Sequence, residues 1–110
     1  MSDSPPLCRL DDIPDGGAIA AQAPDGELIL LRQGGCVFAY HNECPHQGRN
    51  LDYAPGLFLV RDGRLLCAHH GATFTVDSGD CIAGPCRGAG LVAAPVEVVD
   101  DEVRLAPVSD

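Results

Sequence analysis

The 110-residue chain contains no tryptophan, and all seven of its basic residues are arginine, set against 16 aspartates and glutamates. The resulting formal net charge of −9 argues against nucleic acid as a partner, because a polyanion is held by an excess of positive charge. Aromatic residues make up only 5% of the sequence, so small and β-branched side chains dominate the apolar set. No apolar run approaches the roughly 20 residues of a membrane-spanning helix, which excludes that kind of membrane protein. No stretch has a convincing helical period, and 13 glycines and 9 prolines disfavour helix further. The opening Met1-Ser2-Asp3-Ser4-Pro5-Pro6 is acidic and lacks the apolar core of a secretory signal. The cytoplasm is therefore the expected compartment, where disulfides are rare. There is no internal repeat, low-complexity tract or linker, and residues 1–110 are expected to form a single domain.

With 45% hydrophobic and 21% charged residues, the composition is that of a globular protein. The acidity favours solubility and offers an attractive field to a basic docking patch on a partner. Turn signals are dense: Asp15-Gly16-Gly17, Asp25-Gly26, Gly34-Gly35, Asp62-Gly63, Ser78-Gly79-Asp80 and Asp100-Asp101. Short β-type runs lie between them. Residues 18–22 form a weak run. Residues 27–33 and 36–41 flank Gly34-Gly35 as a hairpin, and 58–61 and 64–68 flank Asp62-Gly63 as another. Residues 73–76 alternate as a half-buried strand, and 96–99 with 102–105 close the chain as a last hairpin. The pattern predicts an all-β fold, a small antiparallel barrel or sandwich.

Against this background two short motifs stand out: Cys44-Pro45-His46 and Cys67-Ala68-His69-His70. Read as C-x-H and C-x-x-H, they supply two thiolates and two imidazoles, one of each per motif. That is the ligand set of a 2Fe–2S cluster in which two His replace two Cys on one iron. Thiolates are the soft donors that iron–sulfur clusters select. Imidazole donates less charge than thiolate and so raises the reduction potential above that of an all-Cys cluster. Gly48 and Gly71 follow the motifs and let backbone amides approach closely, where they can stabilise the added electron. His69 and His70 are adjacent, and either could ligate on composition alone. The x-x spacing and the following glycine favour His70. A structural zinc site uses the same residue types, but zinc fingers pair like ligands as C-x₂₋₄-C and H-x₃₋₅-H, whereas here each motif is mixed.

The motifs Cys44-Pro45-His46-Gln47-Gly48 and Cys67-Ala68-His69-His70-Gly71, with Gly84-Pro85 downstream, resemble the cluster-binding loops and the proline-containing third loop of Rieske proteins. The resemblance is to the small, soluble, low-potential Rieske ferredoxins and covers nearly the whole chain. It implies a three-stranded cluster-binding subdomain inserted in a barrel-like base. It also implies one 2Fe–2S cluster, with Cys44 and Cys67 on the inner iron and His46 and His70 on the outer, surface-facing iron. His69 and Arg49 sit where high-potential members carry a cysteine pair, so that disulfide cannot form here. Ala72 and Phe74 sit where those members carry hydroxyl donors.

The implied role is that of a one-electron carrier, a Rieske ferredoxin, fed by a flavin- or iron–sulfur reductase and feeding a terminal oxygenase or other redox enzyme. It is not itself an enzyme. The alternative is the small subunit of a nitrite reductase or another multicomponent reductase. Those subunits often lack cluster ligands, all four of which are present here. An oxygenase in its own right would need a second, mononuclear iron site, for which 110 residues leave no domain. Cys81 and Cys86 frame the Gly-Pro segment and read either as small buried apolar residues or as a redox-sensing pair. Cys8 and Cys36 read as ordinary edge and core positions, and His41 as a strand-end residue. Arg49 is either solvated or part of a docking face, and Leu51 and Pro85 could form an apolar collar around the cluster. With three potential-raising features absent, the midpoint potential is expected near the lower end of the roughly −150 to +300 mV range of Rieske centres. Protein-film voltammetry giving a value above about +100 mV on that scale would contradict this reading.

Overall fold

The structure, a computed structural model, describes residues 6–24, 26–43, 58–67, 72–84 and 90–106. Among them are the strands β1 (Cys8–Arg9), β2 (Ala18–Ala23), β3 (Gly26–Gln33), β4 (Cys36–His41), β5 (Leu59–Arg61), β6 (Arg64–Leu66), β7 (Thr73–Thr75), β8 (Cys81–Ala83), β9 (Val96–Val99) and β10 (Glu102–Leu105). A single 3₁₀ turn, Leu10–Asp12, is the one helical feature among these residues. No described helix is long and apolar enough to cross a membrane. The strands form three antiparallel sheets, ordered β1-β10-β9, β2-β3-β4 and β5-β6-β7-β8.

The all-β expectation holds, with specific differences. The weak run at residues 18–22 is a full six-residue strand, β2, paired along its length with β3 from Ala18↔Leu31 to Ala23↔Gly26. The sheet between β4 and β9 has four strands rather than three. Its extra member, β8, is only three residues long, and Cys81, Ile82 and Ala83 have no alternating pattern to mark them. β1, at two residues, is likewise too short to leave a periodic signal.

The turns follow their chemistry. Asp62 and Gly63 adopt φ of 52° and 75°, the double left-handed conformation of a tight I′ hairpin. Asp100 and Asp101 do the same at 52° and 63° without a glycine, as aspartate tolerates.

β3 organises the interior. Leu28, Ile29, Leu30 and Leu31 are all buried, so both faces of the strand are covered and period-2 alternation disappears. Ile29 and Leu31 enter a core shared with Tyr40, Leu65, Cys67, Phe74 and Cys81. Leu28 and Leu30 enter a second core with Ile13, Ala21, Ala39 and Val103. The central sheet β2-β3-β4 is thus sandwiched between the other two. On one side, residues 91–95 run along β4: His41 N–H donates to Val92 O at 2.8 Å and Ala94 N–H to Ala39 O at 2.9 Å. Arg32 fastens the N-terminal segment, donating through its guanidinium to Leu10 O at 3.3 Å and Ile13 O at 3.1 Å.

On the other side, Tyr40 joins the central sheet to the four-stranded one. Its buried hydroxyl donates to Val76 O at 2.7 Å. Gly79, at φ +75° in the left-handed region, lies so near the ring that a Cβ would stand 2.6 Å from Tyr40 Cε1. Burial, with the charges of Asp77 and Asp80, raises the phenol pKa above its ordinary 10.0. The neutral form is therefore favoured in the fold, and stability falls as pH climbs above about 10 toward the raised value. Tyr40→Phe strands the Val76 carbonyl and is expected to cost roughly 1–3 kcal/mol at neutral pH. It should also flatten the alkaline loss, both readable from urea denaturation at pH 7 and above pH 10.

Candidate metal centre

Of the four residues in the two motifs, Cys67 is among the described residues. Cys44, His46 and His70 lie outside them, as do His69, Arg49, Leu51, Pro85 and Cys86. No cluster of three or more His, Cys, Asp or Glu suited to a metal forms among the described residues. What the structure provides is the frame from which the motif-bearing segments leave.

Cys67 directly follows β6. Leu65, two residues earlier, shares its face of the sheet, and both enter the core beside β3 with Ala72 and Phe74. Cys67 is 1% exposed. Its N–H donates to Ala72 O at 2.7 Å, extending the β6–β7 ladder by one rung beyond Leu66↔Thr73. This bond joins the two residues that flank 68–71 in the sequence, the stretch that contains both candidate histidines.

The first motif has an anchor as well. Asn42, two residues before Cys44, is 6% exposed, the one buried polar side chain among the described residues. Its amide donates to Glu27 Oε1 at 2.5 Å, and its backbone N–H donates to Glu27 O at 3.0 Å. β4 therefore ends in a fixed direction before the motif begins. Nothing in the residue pattern marks this pair, because Glu27 is 15 residues away.

β8 supplies a third approach. Its register against β7 runs Thr73↔Ala83 and then Phe74↔Cys81, leaving Ile82 as an extra residue, the kind of bulge common beside functional sites. The strand then delivers Gly84 onto Ala72, as a Cβ on Gly84 would lie 2.7 Å from Ala72 Cα. Gly84 and Ala72 were each marked in the sequence, by the Gly-Pro pair and by the place after the second motif; the contact between them was not.

The remaining side chains bear on the chemistry. Ala72 and Phe74, the positions without hydroxyls, are both fully buried, so this wall of the site is apolar. Cys81 is buried, and its thiol donates to Ala83 O at 3.3 Å, a weak bond within its own strand. Cys36 is exposed at the start of β4, not in the core as its apolar neighbours suggested. Cys8 is partly buried, and burial, followed by the nearby Asp12 charge, pushes its thiol pKa up. His41 is at the end of β4, opposite Leu28, as read from the sequence. Asp62 and Asp77, in the β5–β6 and β7–β8 turns, stand at the ends of those strands away from Cys67 and Gly84. A buried thiol in an apolar setting, with no described carboxylate beside it, fits a soft thiolate-binding centre such as an iron–sulfur cluster better than a hard cation.

Comparison with known proteins agrees with this geometry. The model of the Rieske [2Fe-2S] domain matches residues 3–103. The ferredoxin component of the alkene monooxygenase system of Xanthobacter autotrophicus (strain ATCC BAA-1158 / Py2) is 33% identical over 76 residues, covering 69% of this chain and 60% of that protein. Among solved structures, the ferredoxin of carbazole 1,9a-dioxygenase from Nocardioides aromaticivorans IC177 superposes with a TM-score of 0.80 at 29% identity, covering 97% of this chain and all of that one (100%). The Sphingomonas yanoikuyae B1 ferredoxin gives 0.75 at 25% identity, covering 96% and 100%. With its sheets, its apolar thiol site and a match over nearly its whole length, the chain belongs to the Rieske [2Fe-2S] domain family, whose cofactor is one 2Fe–2S cluster.

Proposed function

We propose that Cys44, His46, Cys67 and His70 hold the cluster and that the chain works as a one-electron carrier, a Rieske ferredoxin. The observation that carries the ligand assignment is the placement of Cys67: buried at the end of β6, with its N–H bonded to Ala72 O at 2.7 Å. A thiolate there faces a dry core, as suits the inner, Cys-bound iron. The histidine-bearing segment begins where the strand pair ends, as suits an outer iron near solvent. The bound cluster takes up and releases one electron at a time.

The chain's own part is to fix that site. The Asn42–Glu27 pair directs the first motif, the Cys67–Ala72 rung closes the second, and Ala72 and Phe74 withhold hydroxyl donors. The donor is a flavin- or iron–sulfur reductase, and the acceptor is a terminal oxygenase or another redox enzyme. Support comes from relatives that are ferredoxins of an alkene monooxygenase system and of a carbazole dioxygenase. Residues 1–110 act as one domain, in the cytoplasm. The net charge of −9 supplies an attractive field for a basic docking patch on such a partner.

Two measurements test this reading. Cys67→Ala is expected to abolish visible absorption and bound iron, whereas Cys36→Ser, at an exposed position, keeps both; colour and iron retained in Cys67→Ala would remove the assigned ligand. In single-turnover mixing, the dithionite-reduced protein is expected to be reoxidised by a terminal Rieske oxygenase with one electron delivered per chain. A reduced protein that passes electrons to neither oxygenase nor reductase would contradict the carrier role.

A further inference from the structure

We propose that Gly84 is a positioning residue for the cluster, acting through Ala72. The inference rests on the cluster-binding reading above. At Gly84 two constraints coincide. Its φ is +99°, a conformation that side chains other than glycine's rarely adopt. A Cβ there would also meet Ala72 Cα at 2.7 Å, Ala72 N at 3.1 Å and Ala72 Cβ at 3.3 Å. The two nearest of these atoms are backbone, so no rotamer change relieves the contact.

Ala72 is itself fully buried and accepts the Cys67 N–H. A push on Ala72 is therefore a push on the bond that anchors residues 68–71 to the ligand Cys67. Ala72 cannot move inward, because Leu65, Phe74 and Cys67 fill the core behind it and a close-packed interior does not yield. Any added volume at position 84 is relieved by displacing the end of β8 or by opening the Cys67–Ala72 rung. The bare backbone of Gly84 thus sets how closely the end of β8 seats on Ala72, and so the Cys67–Ala72 hydrogen bond that positions the ligand.

Gly79 provides a control within the same sheet. It too has positive φ, +75°, and a Cβ there would meet the Tyr40 ring at 2.6 Å, but it lies in the turn at the other end of the β7–β8 pair. Gly84→Ala and Gly79→Ala should both lower thermal stability. Only Gly84→Ala should also lower the midpoint potential, by the equivalent of at least a tenfold change in the reduction equilibrium, about 59 mV for one electron, and alter the reduced electron paramagnetic resonance line shape. Because the closest atom is Ala72 Cα rather than its Cβ, Ala72→Gly in the Gly84→Ala background should not restore the potential.

The test is potentiometric titration and spectroscopy of the intact unaltered, Gly84→Ala, Gly79→Ala and double-variant proteins. If the unaltered protein binds no cluster, the underlying reading fails. If it binds one and Gly84→Ala keeps its potential and spectrum, the positioning role fails and the reading stands. Should Gly84→Ala lose its cluster, the role stands only where Gly79→Ala retains one; equal loss in both reduces the effect to general destabilisation and overturns it.

Discussion

The two-sided burial of β3 is the constraint on which the other parts of the molecule depend. Four consecutive large aliphatic residues, Leu28 to Leu31, cannot be solvated on either face, so a sheet must cover each. The β9–β10 layer satisfies one side and the four-stranded layer the other. Without β3 there would be no wall for Cys67, Ala72 and Phe74 to pack against. The four-stranded sheet, with strands of only three residues, is too small to be stable by itself. It draws its rigidity from Ile29, Leu31 and Tyr40 beneath it.

That arrangement fixes the strand ends that flank the motifs. Each motif-bearing segment leaves from a strand end fixed by a separate device: a buried Asn42–Glu27 hydrogen bond, a backbone rung from Cys67 to Ala72, and a glycine pressed onto Ala72. The devices are short-range and mutually braced through the core, which is what a redox centre needs if its geometry is to change little on reduction. Ala72 and Phe74 are fully buried and carry no hydroxyl, so burial and backbone hydrogen bonds dominate this wall.

Much of this was legible in the residues. The hairpins around Gly34-Gly35 and Asp62-Gly63 announce themselves through turn chemistry, and both flank strands of the expected register. The mixed Cys/His motifs carry their chemistry in their composition, independent of fold. β1 and β8 were not legible, because two or three residues cannot express a period. β2 looked weak because alanine has little strand preference; its pairing with β3, not its own propensity, makes it a strand. The Asn42–Glu27 and Gly84–Ala72 contacts depend on residues distant in sequence, and a linear pattern does not encode such pairs. Cys36 is exposed because it stands at the first position of β4, beside the Gly34-Gly35 turn.

The most direct test of the central claim, that two thiolates and two imidazoles hold a 2Fe–2S cluster in this frame, is electron paramagnetic resonance of the purified protein before and after dithionite, with iron, sulfide and zinc quantified on the same sample. The account predicts a silent oxidised state, bleaching of the visible bands, and a rhombic reduced signal of low average g from two irons and two sulfides per chain, as one 2Fe–2S cluster requires. A colourless protein with stoichiometric zinc and no signal after anaerobic iron–sulfide reconstitution would contradict it.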